Sequence, residues 1–358
     1  MADSEFREFA RRFGGEADLS ELRSSGSPYR WIAEILDGLS SLIAHYEDDK
    51  NRLGRSYHAC NGVFESMEIN GAADRGPSKY VFGISFGAVL RLFHAHLILG
   101  RSDIGAAEQD FLRYLLSADP GEPEPEVAAK VLRFPISHET MIAVRDRTFF
   151  SIGFVFMHEA FHTLLGHTDF ACEAMGLTLD EINLDRDAGP NSALMQAMEL
   201  DADGAAFSNF WLTLRQSPHF GVCRDPSPDP ADRIAEAAMG GMLALIAIEA
   251  RRAKIKDGRE LTHPFPSRRV GSVVRLLATC ERRGVLPKGV RAKLAAKARR
   301  YRDALAGQLV EPLLDVITGD RDIPGDDVDR LSRLIALHKE ELALLEDASF
   351  APRVRMPG

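Results

Sequence analysis

Apolar residues recur at helical spacing along most of this chain and follow strand-like patterns in only a few short places. From about Pro28 to Tyr46, Trp31, Ile35, Leu39, Leu42 and Ile43 line one face of a predicted α-helix. Residues 63–71 (VFESMEING) and 80–86 (YVFGISF) are rich in β-branched and aromatic side chains and predict strands, with 72–78 (AADRGPS) as the turn between them. Residues 87–100 return to a helical pattern. The acidic, proline-rich stretch 117–127 (SADPGEPEPEV) predicts a surface loop, and 130–136 and 139–146 are short enough to predict strands. A long helix then runs to Gly166, a residue suited to ending one, and a second begins near Ser192 after the irregular, acidic stretch 168–191. Residues 224–233 (RDPSPDPADR) predict another loop, and the last third predicts three or four helices.

These elements imply an α+β fold with helix in excess. Three regions suggest themselves: an N-terminal region 1–120, a central core 121–275 and a helical C-terminal region 276–358, or all three as one compact unit.

Composition narrows the class. The chain has 358 residues, 45% of them apolar and 27% charged, which suits a soluble globular protein with room for an enclosed cleft. The N-terminal stretch MADSEFREFARRFGG has no apolar core and does not read as a secretory signal. Two runs come nearest to a membrane span. Residues 80–100 carry Arg91, His94 and His96, costly in lipid, and residues 239–250 fall well short of the roughly 20 that a span needs. A cytoplasmic protein without a span is expected. Cys60, Cys172, Cys223 and Cys280 lie too far apart for a zinc ribbon or a disulfide framework and are expected to be mostly buried thiols.

Net charge is −9, unevenly placed: residues 251–302 hold 17 Lys and Arg against 3 Asp and Glu. A solvated helix face pairing with the acidic remainder accounts for such a run, and it also leaves open a nucleic-acid or acidic partner.

The chemistry gathers in FMHEAFHTLLGH, residues 156–167. On a helix, successive residues are about 100° apart, so His158 and His162 project from one face while Glu159 stands to the side. Two imidazoles leave a four-coordinate zinc site short of one protein ligand. The second long helix offers Glu199 in ELDAD, which shares a face with Asp203 but not with Asp201. Glu199 is the expected third ligand and Asp203 the partner of a ligating imidazole's outer nitrogen, with Asp201 the alternative ligand.

His158-Glu159-x-x-His162 with Glu199-x-x-Ala202-Asp203 resembles the gluzincin metallopeptidases, whose third ligand is a glutamate on a later helix. THPFPSRR from Thr262 resembles the His-Pro and arginine downstream in the membrane-embedded prenyl-protein and heat-shock proteases of that group. The lack of spans, and Gly166-His167 after the motif, make the likeness closer to soluble bacterial peptidases of the phage-exclusion (Lit-type) or IrrE-like kind. The resemblance covers roughly residues 130–275 and implies a zincin-like core with one Zn²⁺. A metzincin pattern would need glycine and histidine where Leu165 and Thr168 stand. His167, about 180° from His158 on a continuing helix, reads as a helix-terminal residue.

The resemblance implies hydrolysis of a peptide bond in a specific protein, with Glu159 as general base. His263, with Arg268 or Arg269 beside it, is the candidate for stabilising the oxyanion or holding substrate. A non-proteolytic regulatory protein working through residues 251–302 is the contrasting expectation.

Overall fold

In a computed structural model, residues 3–24, 30–46, 49–100, 104–116, 138–172, 179–180, 192–216, 229–250, 266–304 and 317 are described. The chain opens with α1 (Ser4–Ala10), α2 (Ser20–Arg23) and α3 (Arg30–Ile43), then β1 (Ala59–Phe64), β2 (Gly71–Arg75), β3 (Tyr80–Ser85), α4 (Phe86–Leu99) and α5 (Ala106–Leu115). There follow α6 (His138–Leu164), α7 (His167–Phe170), β4 (Leu179–Asp180), α8 (Ser192–Gln216), α9 (Pro230–Ala250), α10 (Pro266–Arg282) and α11 (Val290–Ala304). The architecture is predominantly helical α+β, and no helix among the described residues is long and apolar enough to cross a membrane.

The strands form one sheet in the order β1-β3-β2-β4, with β1 and β3 parallel and the other pairs antiparallel. β3 is buried along its whole length because both of its faces are covered. On one face Phe82 meets Phe156 of α6 edge-on, with ring centroids 5.2 Å apart. On the other, the paired Gly62 and Gly83 make room for Phe6 of α1: a Cβ on Gly62 would lie 2.5 Å from its ring.

Helix α6 is the centre of the molecule. It packs against the sheet, α4, α8 and α9, and its length of 27 residues spans about 40 Å. Gly240 of α9 permits a close approach to the α6 backbone, since a Cβ there would meet the Arg147 carbonyl oxygen at 2.9 Å. Arg147 of α6 donates to Glu236 of α9 at 2.7 Å, and Lys297 of α11 closes on the same carboxylate. A large cluster of buried apolar side chains runs from Leu22 to Ile317 and includes residues of all three regions suggested by the sequence, with smaller clusters around Phe6 and Phe64 and around Ile234 and Val290.

Three sequence expectations are corrected. Residues 139–146 belong to α6 rather than to a strand; no glycine or proline interrupts the run from 138 to 152, so helix started there propagates. The strand expected at 63–71 is divided between β1 and the turn that follows it. The expected turn 72–78 instead contributes β2: Ala73 is fully buried on the face covered by α6 and Ala72 on the opposite face with Phe6 and Phe9 of α1, so packing on both sides decides the strand whatever their strand propensity. The helices at 30–43, 86–99 and from 192 lie where expected, and Gly166, at φ 76°, ends α6 through the left-handed conformation. Residues 117–127 and 130–136 lie outside the described residues.

Of the cysteines, Cys60 is buried, Cys172 exposed and Cys280 between the two; none is in a disulfide, and Cys223 lies outside the described residues. The exposure of Cys172 corrects the expectation for that thiol.

Candidate metal centre

The helical period sets His158 and His162 one turn apart on α6, and Glu199 and Asp203 one turn apart on α8. Packing of α8 on α6 brings the two faces together. His158 Nε2 and His162 Nε2 are 3.0 Å apart; Glu199 Oε2 lies 3.3 Å from the first and Glu199 Oε1 3.3 Å from the second. All three side chains are about 2% exposed.

This triangle has the dimensions of a coordination shell. Three donors about 2.0–2.1 Å from one tetrahedral ion stand about 3.3–3.4 Å from one another. The group can therefore hold a metal ion. Charge points the same way. Glu199 and Asp203 are buried carboxylates that share the guanidinium of Arg269, and Glu159, next to His158 in the chain, is a third buried carboxylate, a concentration of acidic groups that a cation would stabilise.

The outer side of each imidazole is also engaged. His158 Nδ1 lies 3.0 Å from Asp203 Oδ1, the partnership expected from the sequence. Asp203 in turn accepts two bonds from Arg269 of α10, from Nε and from Nη2, each 2.8 Å. Burial pushes the Asp203 carboxyl up, but the Arg269 guanidinium and the bonds from Arg269 and His158 outweigh it and hold the group below the usual carboxylate range. Arg269 Nη2 also comes within 3.5 Å of Glu199 Oε2, so one guanidinium braces both carboxylates of α8.

His162 Nδ1 faces His167 Nδ1 at 3.1 Å, and His167 Nε2 lies 3.5 Å from Asp201 Oδ2. Asp201 also accepts from Arg52 at 2.7 Å. Short helix α7, which carries His167, is pinned by the buried Asp169. That carboxylate accepts from Asn51 at 2.7 Å, Tyr80 at 2.8 Å and Arg55 at 2.7 Å.

Glu159 is 1% exposed and its carboxylate lies beside the start of β2. A Cβ on Gly71 would lie 2.5 Å from its Oε1 and 2.8 Å from its Cγ, so the carboxylate occupies space that only glycine leaves open. Phe156, Met157, Ala160 and Phe161 around it are buried, which makes the surroundings apolar.

The other expected residues are placed as follows. Asp201 points away from the histidine pair and is half-buried against Arg52, so it is not set to be the third ligand. Arg269 is fully buried and directed at Asp203 and Glu199, which corrects the expectation that it holds substrate. Arg268 is buried as well. His263 lies outside the described residues.

Sequence reasoning missed His167, Arg52 and Gly71. The angle assigned to His167 assumed an unbroken helix; the positive φ of Gly166 reverses the chain and returns His167 to His162. Gly166 itself was the available signal. Comparison with protein-family models, with curated proteins and with solved structures finds no significant match to this chain.

Proposed function

We propose that the chain is a zinc-dependent endopeptidase that hydrolyses a peptide bond in a specific protein. The observation that carries this reading is the buried triangle of His158 Nε2, His162 Nε2 and a Glu199 carboxylate oxygen at each corner distance, 3.0 to 3.3 Å, with a second carboxylate, Glu159, on the adjoining residue. Two neutral imidazoles and one carboxylate are a donor set suited to Zn²⁺, and three protein ligands leave one position for solvent or substrate.

His158, His162 and Glu199 would hold the Zn²⁺, which when bound would supply Lewis acidity toward the scissile carbonyl and make the attacking water more acidic. Glu159 takes the proton from the attacking water as its oxygen bonds to the carbonyl carbon, and gives it to the leaving amine as the C–N bond breaks. The missing side chain of Gly71 leaves the space that the Glu159 carboxylate occupies. Asp203, braced by Arg269, orients His158 so that Nε2 faces inward. The gluzincin likeness supports the peptide bond as the target, since its motif residues are the ones that converge here.

The test is Glu159→Gln in the full chain. Cleavage of the substrate protein is lost while zinc stays bound; full activity in that variant would refute the assignment of the base.

A second reading draws on α10 and α11. Arg282, Arg283, Lys288, Arg291, Arg299 and Arg300 are exposed there, a surface suited to an acidic partner in a non-proteolytic regulatory protein. Charge reversals at these positions that abolish function, with Glu159→Gln silent, would favour it.

A further inference from the structure

Each ligating imidazole requires its outer nitrogen to carry the proton, because the nitrogen that faces a metal must be bare. For His158 the partner is Asp203, a carboxylate that can only accept. For His162 the partner is another imidazole, and a given nitrogen of an imidazole accepts in only one of its two neutral tautomers.

The distances determine which. His162 Nε2 faces His158 Nε2 and Glu199 Oε1, so with a metal held among them Nε2 is bare and the proton sits on Nδ1. The 3.1 Å contact then requires His167 Nδ1 to accept, which places the His167 proton on Nε2. That nitrogen lies 3.5 Å from Asp201 Oδ2, whose negative charge favours a proton there, and Asp201 is held by Arg52. Asp201 therefore favours the one tautomer of His167 that can serve His162. We propose that His167, backed by Asp201 and Arg52, is the positioning residue that sets the tautomer and ring orientation of His162.

The chain supports this locally at three points. The Arg52 amide donates to the Leu164 carbonyl at 2.9 Å, fixing the loop that carries Arg52 to the end of α6. Leu53 of that loop packs against Gly166, where a Cβ would come within 2.7 Å of its Cγ. Asp169, bonded to Asn51 and Arg55, ties α7 to the same loop. The two ligating histidines thus have different supports: a buried Asp203–Arg269 pair behind His158, and a chain through His167 that ends at the half-exposed Asp201 and Arg52 behind His162.

The inference rests on the metal reading of the site, and its test separates the two. Zn²⁺ is titrated into metal-free full-length protein against a chromophoric chelator, for wild type, His167→Asn and His167→Leu. Asn and Leu have nearly the same shape, but only Asn offers an acceptor near the place of Nδ1. We expect His167→Leu to weaken Zn²⁺ binding about 10–100-fold, the range for loss of such a partner, and His167→Asn to restore most of it. Co²⁺ absorption in the loaded proteins should shift for Leu and not for Asn. Thermal unfolding of the metal-free forms verifies the fold, and Asp201→Leu repeats the contrast from a half-exposed position if His167→Leu does not fold. Equal affinity of His167→Leu and wild type, or equal weakening by Asn and Leu, would overturn the role of His167 while leaving the metal site standing. Failure of wild type to take up Zn²⁺ would overturn both.

Discussion

Glu159 and Gly71 meet so closely that a single methyl group on the strand would lie 2.5 Å from the carboxylate oxygen. This close approach, between α6 and the start of β2, involves the only acidic side chain of the FMHEAFHTLLGH stretch.

Gly71→Ala is therefore expected to displace Glu159 without touching a metal ligand. Hydrolysis should fall about 100-fold, the lower end of what a general base contributes, with Zn²⁺ content unchanged. Parallel measurement of turnover and bound metal checks it. Unaltered turnover would mean that Glu159 does not work from this position.

Arg269→Met should cost about 3–5 kcal/mol of folding stability, because it leaves the buried Asp203 carboxylate without its bidentate partner. Urea unfolding of the metal-free protein measures this. Arg269→Lys should recover only part of the loss, since an ammonium cannot reproduce the fork.

The pH dependence of stability is set in part by Glu236. Burial raises its carboxyl pKa, but Arg147 and Lys297 outweigh burial and hold it below the ordinary value of 4.5. A lowered folded-state pKa means that the stabilisation is complete above the unfolded value and is lost as pH falls through the folded one. Glu236→Gln should accordingly lower the urea midpoint at pH 7 and flatten its decline below pH 4.5. An identical decline in wild type and variant would contradict this.

What could be read from the sequence, and what could not, follows from the range of each interaction. His158 with His162 and Glu199 with Asp203 are spaced one helical turn apart, so the period alone places each pair on one face, and the separate faces were both legible. The choice of Glu199 over Asp201 followed from the same period. The bidentate Asp203–Arg269 pair spans 66 positions and depends on how α10 crosses α8, which no local pattern encodes. β2 was read as a turn because Ala72 and Ala73 are poor strand formers; both are buried by elements distant in sequence, Ala73 on the α6 face and Ala72 on the α1 face. His167 was misplaced because one left-handed glycine cancels the helical angle.

The central claim is that His158, His162 and Glu199 hold one divalent cation. Its most direct test is elemental analysis of purified full-length protein, wild type beside Glu199→Ala. The account predicts one zinc per chain in wild type and a large loss in the variant, with the fold retained. Wild type without stoichiometric metal, or a variant that keeps it, would contradict the account.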